Sequence, residues 1–265
     1  MTRITSRDNS LLRHARAVRD GKVTDSIFVE GLRLAEEAAD SGLAIEAVIY
    51  SEELAQKERG GRLIRDLEQD SVTLASVSEK LLQSISYTKT PQGIVVLAGR
   101  PSVAPDLFTD RQPETPLLVI LHRLNNPVNV GAIVRTAEAA GATGVIATAG
   151  TADPFSPKSL RGAMGSAFRL PIWTGVDYGQ AIDWCHRRRI QTVCADVHSH
   201  EKYNEIEWRG AAAIIMGAES DGLSAAEIAM TDKAVKIPMQ GRTESLNVAV
   251  AAGILLYEAS RYRQA

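Results

Sequence analysis

Four short runs beyond residue 116 are apolar almost throughout: Leu117–Leu121 (LLVIL), Gly144–Ala147 (GVIA), Gln191–Ala195 (QTVCA) and Ala212–Met216 (AAIIM). A strand with one face in water alternates apolar and polar residues, so an unbroken run marks a strand covered on both faces. Helical patterns at Val130–Ala140, Gly179–Arg187, Ser224–Met230 and Asn247–Arg261 separate and follow these runs. Buried strands alternating with helices predict a mostly parallel α/β domain, whose ligand sits beyond the carboxyl ends of its strands. Gly131, Gly141 and Gly144 do not give the GxGxxG spacing of a dinucleotide site, and no Walker A sequence occurs.

The first hundred residues follow the same grammar with shorter elements. Leu11, Leu12, Ala15 and Val18 recur at helical spacing after a capping Asn9 or Ser10. Strands are predicted at Ile27–Val29, Ala44–Tyr50, Val72–Ala75 and Gly93–Ala98. Between them come helices through Leu32–Ala38, Gly61–Glu68 and Ser78–Ile85, which together make a small α/β sandwich. The stretch 99–116 carries Pro101, Pro105, Pro113 and Pro116, too dense for a regular helix or a central strand. It reads as a linker between a domain at 1–98 and one at 117–265.

Composition serves mainly to exclude. Lys and Arg number 30 against 32 Asp and Glu, a net charge of −2 that advertises no polyanion partner for the chain as a whole. Two cysteines cannot build a disulfide framework, and neither they nor His198 and His200 have the spacing of a metal site. No apolar run is long enough to span a membrane, and the basic start lacks the apolar core of a secretory signal, so a cytoplasmic protein is expected. Locally the charge is different. Residues 1–22 hold six Lys or Arg against two Asp. Arg13, Arg16 and Arg19 recur every third residue, opposite the Leu12, Ala15 and Val18 side as read from sequence, with Arg3 and Arg7 nearby. Lys158 and Arg161 form a further basic pair at a helix start. Such runs are usually solvated faces, and they become phosphate-binding candidates only beside a nucleic-acid chemistry.

Three loops at strand ends combine glycine with polar residues. NNPVNVGAIVR (125–135) places Asn129 as a candidate helix cap and Arg135 about two turns further on. MGAESDGLS (216–224) holds Glu219 between Gly217 and Gly222. IPMQGRTESLNVAVAAGILLY (237–257) passes from Pro238 through a polar loop to Ser245, Leu246 and Asn247 at the start of a small-residue helix. Taken singly, each is equally well a turn into a capped helix.

In this order and spacing the three loops resemble the sequence motifs of the SpoU branch of the SPOUT superfamily, the TrmH-like RNA ribose methyltransferases. The segments SRDNSLLRHARAV and FVEGLRLAEEA resemble the substrate-binding module fused to many rRNA-modifying members. The resemblance implies an N-terminal RNA-binding fold like that of a ribosomal protein, and a SPOUT domain with a deep trefoil knot. It also implies S-adenosylmethionine as methyl donor, no metal, a homodimer, and transfer to a ribose 2′-hydroxyl, with large-subunit rRNA favoured over tRNA. The matching positions are Arg135, Asn129, Glu219, Ser245 and Asn247 for catalysis, and Gly217, Ile237, Met239, Leu246 and Asn247 for the cofactor. Asn126 stands where many relatives carry Asp, which leaves no charge at that position. A catalytically silent RNA-binding protein is the rival reading, and the joint presence of these polar residues speaks against it.

Overall fold

The computed structural model describes residues 2–68, 72–101 and 115–263. Contacts divide the chain into two compact units, Met1–Pro101 with Phe155–Arg169 and Ser102–Pro154 with Leu170–Ala265. Most of the proline-rich stretch at 99–116 lies outside the described residues.

The first unit begins with β1 (Thr2–Ile4), α1 (Ser10–Arg19), β2 (Ser26–Glu30), α2 (Leu32–Asp40) and β3 (Ile45–Ser51). It continues with α3 (Glu52–Gln56), α4 (Glu58–Glu68), β4 (Thr73–Val77), α5 (Glu79–Ile85) and β5 (Ile94–Gly99). The strands form one sheet in the order β1-β4-β3-β5-β2. β1 and β3 run parallel to β4, and β5 runs antiparallel to β3 and β2. Because side chains alternate along a strand, Phe28, Ile49, Val95 and Leu97 share one face. There they pack with Leu12, Ala15 and Val18 of α1 and with Leu82 and Ile85 of α5. Asn9 caps α1, its side chain accepting from the Leu11 N–H at 2.9 Å. α4 starts three residues before the helix read from sequence and runs through Gly60. A Cβ on Gly60 would stand 2.5 Å from the Leu54 carbonyl oxygen, so glycine is what lets α4 pack against α3.

The second unit is built on β6 (Leu117–Leu121), α6 (Pro127–Ala139) and β7 (Gly144–Thr148). The next helices, α7 (Pro157–Ala163) and α8 (Ser166–Arg169), belong to the first unit, where α7 packs on β2 and Arg169 pairs with Glu37. The second unit resumes with β8 (Ile172–Val176), α9 (Tyr178–Arg187), β9 (Gln191–Ala195) and β10 (Ala212–Met216). It closes with α10 (Ala225–Ala229), β11 (Lys233–Val235) and α11 (Val248–Arg261). Its six strands are parallel, in the order β11-β9-β10-β6-β7-β8. β6, β7 and β10 are buried at every residue, as their unbroken apolar sequences require. Trp184 and Trp208 are buried as packing residues, and the Trp208 indole N–H donates to the Tyr203 carbonyl at 2.8 Å.

Strand order reverses between β6 and β10. From β6 the chain steps outward to β7 and β8, then returns on the other side through β9 and β10. Loops leaving such a switch point diverge and leave a crevice at the carboxyl edge. Leu121 pairs with Met216, and the His122 N–H donates to the Met216 carbonyl at 2.9 Å, so the loops after both strands start side by side. β9 and β10 lie between β11 and β6, a displacement of about 14 Å at the usual strand spacing. Yet α11 packs against α6 and β10. The segment after β11 therefore crosses back over the carboxyl edge to the switch point.

Candidate active site

The loop after β6 turns into α6 through Asn126, whose side chain accepts from the Val128 N–H at 3.0 Å, with Pro127 at the first helical position. Proline is pre-set for that position and lacks the N–H that would go unpaired there. The cap is thus Asn126, and the expectation that Asn129 caps this helix is corrected. Asn129 lies inside the first turn and faces inward, 9% exposed, which frees its amide for the crevice.

Glu219 comes from the loop after β10. Its carboxylate accepts from the Asn125 N–H at 3.2 Å, the Asn126 N–H at 3.3 Å and the Asn129 side-chain amide at 3.1 Å. Partial burial pushes its pKa up, but the hydrogen bonds from Asn129 and the backbone outweigh that and hold it below the usual carboxylate range. Asn247, the N-cap of α11, accepts from the Ala249 and Val250 N–H groups at 2.9 and 3.4 Å. Its own amide donates to Asn129 Oδ1 at 3.3 Å. Every donor direction in this chain is fixed. Helix N–H groups point to the Asn247 oxygen, the Asn247 amide to Asn129, and the Asn129 amide to an ionised Glu219. One relay thereby ties together the three loops that follow β6, β10 and β11.

Arg135 is not part of that relay. Six residues after Asn129 on α6, it lies about 120° around the helix and about 9 Å along it. It is exposed, and among the described residues its guanidinium has no hydrogen bond or ion pair. The residue one heptad earlier on the same face is Val128, 46% exposed. Ser245 is exposed on the loop before Asn247.

The cofactor positions divide by role. A Cβ on Gly217 would stand 2.7 Å from the Gly222 carbonyl carbon and 2.9 Å from the Leu223 nitrogen. Glycine there is required for the 217–223 loop to fold back on itself, where the Gly222 N–H reaches the Ala218 carbonyl at 3.0 Å. Ile237, Met239 and Leu246 are half-buried, all on the segment that crosses the carboxyl edge. Among the described residues, no hydrogen bond involves the backbone of residues 237–246. Half-buried apolar side chains beside unpaired backbone donors and acceptors fit an adenine ring with a thioether-linked tail.

A second cluster at the same edge escaped the sequence reading. His122, 4% exposed, sets Nδ1 2.9 Å from Thr148 Oγ1 and Nε2 3.0 Å from Glu227 Oε1. Burial lowers the His122 pKa against the opposing pull of Glu227. Arg123 donates to His122 Nε2 at 2.8 Å and pairs with Glu227. Glu227 also closes a capping box with Ser224 at the start of α10. A lone histidine after a strand gives no hint of partners 26 and 105 residues away.

The basic residues proposed for RNA distribute unevenly. Positions three apart on a helix from Leu12, Ala15 and Val18, shifted by one, lie about 100° away, beside the apolar stripe and not opposite it. Arg16 accordingly donates to the Arg7 carbonyl at 2.9 Å. Arg19 donates to the Ile85 and Ser86 carbonyls at 3.1 and 3.2 Å and pairs with Asp20 at 2.8 Å. These two serve the fold. Arg13 and Arg7 are exposed, and Arg3 is exposed but paired with Glu52 at 2.7 Å. Lys158 and Arg161 are exposed on α7, in the first unit. His198 and His200 lie exposed in a loop, and among the described residues no group of three or more His, Cys, Asp or Glu is placed to hold a metal.

The chain was compared with known proteins. Residues 116–257 match the SpoU rRNA Methylase family, and residues 13–96 match the MRM3-like substrate binding domain. The 23S rRNA (guanosine(2553)-2′-O)-methyltransferase RlmP of Bacillus subtilis is 32% identical over 88% of this chain and 88% of its own length. The 23S rRNA (uridine(2479)-2′-O)-methyltransferase of Streptomyces viridochromogenes is 32% identical over 89% of this chain and 83% of its own. Among solved structures, an AdoMet-bound rRNA methyltransferase from Sinorhizobium meliloti superposes with a TM-score of 0.85 at 30% identity, covering 98% of both chains. The fold is the SPOUT methyltransferase fold, with its parallel sheet. Since the family match spans more than half of the sequence and the likeness runs through both units, this chain belongs to the SpoU rRNA methylase family.

Proposed function

We propose that this protein transfers a methyl group from S-adenosylmethionine to a ribose 2′-hydroxyl of large-subunit rRNA. The observation that carries the reading is the Glu219–Asn129–Asn247 relay, which joins three sequence-distant loops at the carboxyl edge of the sheet, where strand order reverses. The rRNA preference rests on relatives that align along both units.

Ile237, Met239 and Leu246, with the free backbone groups of 237–246, would hold the cofactor, and Gly217 would let the neighbouring loop close beside it. When bound, S-adenosylmethionine supplies a sulfonium-activated methyl, so the protein's task is to align the acceptor and manage one proton. Glu219 stays ionised and locks the Asn129 amide, and through it Asn247, in a single orientation. Arg135 carries an unpaired guanidinium, a group that donates hydrogen bonds and has no acceptor, unsuited to serve as a base. It orients an RNA phosphate and stabilises the developing alkoxide, and the proton leaves through phosphate or water. Ser245 assists positioning from the loop before Asn247.

The same reading includes a trefoil knot in the last third of the second unit, supported by the segment after β11 that crosses back to α6. It includes a homodimer, supported by Val128, Val250 and Tyr257, which are 46%, 52% and 57% exposed on α6 and α11, two helices packed together. It places the protein in the cytoplasm. Two buried free cysteines, Cys185 and Cys194, agree with a reducing compartment, and among the described residues no helix is long and apolar enough to cross a membrane.

The test is methyl transfer from labelled S-adenosylmethionine to a large-subunit rRNA transcript, with the modified ribose mapped in a deletion strain. Arg135→Ala should lose transfer by about 10²–10³-fold, the scale of removing one transition-state donor, and keep cofactor affinity. Near-normal turnover would overturn the role of Arg135. Transfer to tRNA alone would overturn the substrate class.

A further inference from the structure

Three concave surfaces of the first unit differ sharply in charge. One carries Arg33, Lys57 and Arg59 with Glu53 and Glu79 among them, and Lys57 pairs with Glu53 at 2.7 Å. Another sets Glu36, Glu37, Asp40, Glu58 and Asp66 against three arginines, and Arg59 pairs with Glu36 at 2.5 Å. The remaining one, between β1 and the start of α5, is lined by Arg3, Arg7, Lys80 and the hydroxyl-bearing Ser78 and Ser84, and no carboxylate lines it. Its volume is about 400 Å³.

Two of its cations are unexplained by the fold. Arg3 is held by Glu52. Arg7 and Lys80 are exposed, and among the described residues neither side chain has an ion pair or hydrogen bond. Arg7 is nevertheless fixed in place, because Arg16 grips its carbonyl. Lys80 sits in the first turn of α5, after the Ser78 cap, at the end of a helix where a cation is disfavoured. Like charges gathered round one hollow repel in the free protein, and an anion seated there removes that repulsion.

We propose that this groove holds the phosphodiester backbone of the RNA substrate, with Arg7 and Lys80 as its principal cations. The inference rests on the reading of the chain as an RNA methyltransferase, and it moves the phosphate-binding surface from the α1 arginines to the hollow beside β1. The Ser78 hydroxyl, which accepts from the Leu81 N–H and keeps its own proton, supplies a further donor to a phosphate oxygen, whereas the Ser84 hydroxyl already donates to the Leu81 carbonyl at 2.7 Å. Hydrogen bonds and ion pairs of this kind fix register on the RNA without reading its sequence.

The experiment measures binding of a large-subunit rRNA transcript to the full chain by fluorescence anisotropy across a salt series. The double variant Arg7→Glu, Lys80→Glu should weaken binding at least tenfold. It should also flatten the slope of log affinity against log salt by about one unit for each phosphate that is no longer neutralised. The milder pair Arg7→Gln, Lys80→Gln should flatten the slope in the same direction, which guards against a folding defect, and S-adenosylmethionine titration should be unchanged in both. Arg33→Glu, in a mixed-charge hollow, should leave the slope alone. Wild-type affinity and slope in both double variants would overturn the groove while leaving the methyltransferase reading intact. Failure of the wild-type protein to bind the transcript would overturn both.

Discussion

Asn129 shows how much one side chain's direction decides. Its amide donates to Glu219 and its oxygen accepts from Asn247, so the residue works as a connector of fixed polarity. Asn129→Asp keeps the shape but sets a second carboxylate about 3 Å from Glu219, where two like charges cannot both ionise freely. The Glu219 carboxyl then titrates higher, and the ionised form that the Asn125 and Asn126 amides require is lost earlier as pH falls. The acid limb of the pH–rate profile should move upward in Asn129→Asp, and by less in Asn129→Ala, which loses the Asn129 hydrogen bond that lowers the Glu219 pKa but adds no second charge. Identical acid limbs in the wild type and Asn129→Asp would remove Glu219 ionisation from the account. Asn129, Glu219 and Asn247 were all legible from the motif resemblance. Their mutual bonds were not, because hydrogen bonds across 90 and 118 residues of chain leave no trace in local spacing.

At the level of elements, caps do double duty. Asn247 caps α11 and also donates into the relay, whereas Asn126 caps α6 and offers only its backbone N–H to Glu219. Replacing either by Ala should cost about 1 kcal/mol of stability, the usual worth of an N-cap. Asn247→Ala should in addition weaken S-adenosylmethionine binding, since its helix starts where the crossing segment 237–246 ends, and Asn126→Ala should weaken it far less. Denaturant melts and calorimetric cofactor titration of the two variants separate these effects, and equal cofactor affinities would count against a pocket beside Asn247. Strongly patterned elements were readable in advance: β6, β7, β9, β10, α9 and α11 fall where apolar runs and helical periods put them. Elements without such a pattern were not. β1 and β11 are three residues each and α3 is five, too few to establish a period, and they exist because neighbouring strands or helices complete their hydrogen bonds and packing.

For the whole molecule, the exposed apolar face of α6 and α11 matters most. Val128, Val250 and Tyr257 are large, apolar and open to solvent, and Arg135 shares the Val128 face. Covering this surface with a second copy would bury the apolar side chains and bring the Arg135 guanidinium close to the interface. Val250→Glu should therefore convert a dimer to a monomer in light scattering and reduce methyl transfer with it. A dimer that persists in Val250→Glu would place the interface elsewhere. Net charge is a poor guide at this scale. A total of −2 conceals a hollow in the first unit lined by three cations and no acid, because charge sums ignore which side chains converge.

The sequence by itself determined the class of the second unit, since continuous apolar strands fit only a doubly covered parallel sheet, and it determined the identity of the residues on three loops at the strand ends. It also held the family likeness, which is written in motif order and spacing. Tertiary structure decided which of those residues cooperate. Strand order set the loops after β6 and β10 side by side, the crossing segment delivered Asn247 to Asn129, and the helix start at Pro127 turned Asn129 inward and left Arg135 outside. Only the folded chain sorted the basic residues into those that hold the fold, Arg16 and Arg19, and those left exposed without a partner among the described residues, Arg7, Arg13 and Lys80 among them. The reason is common to all of these: local sequence sets period and cap, whereas convergence depends on where distant strands pair.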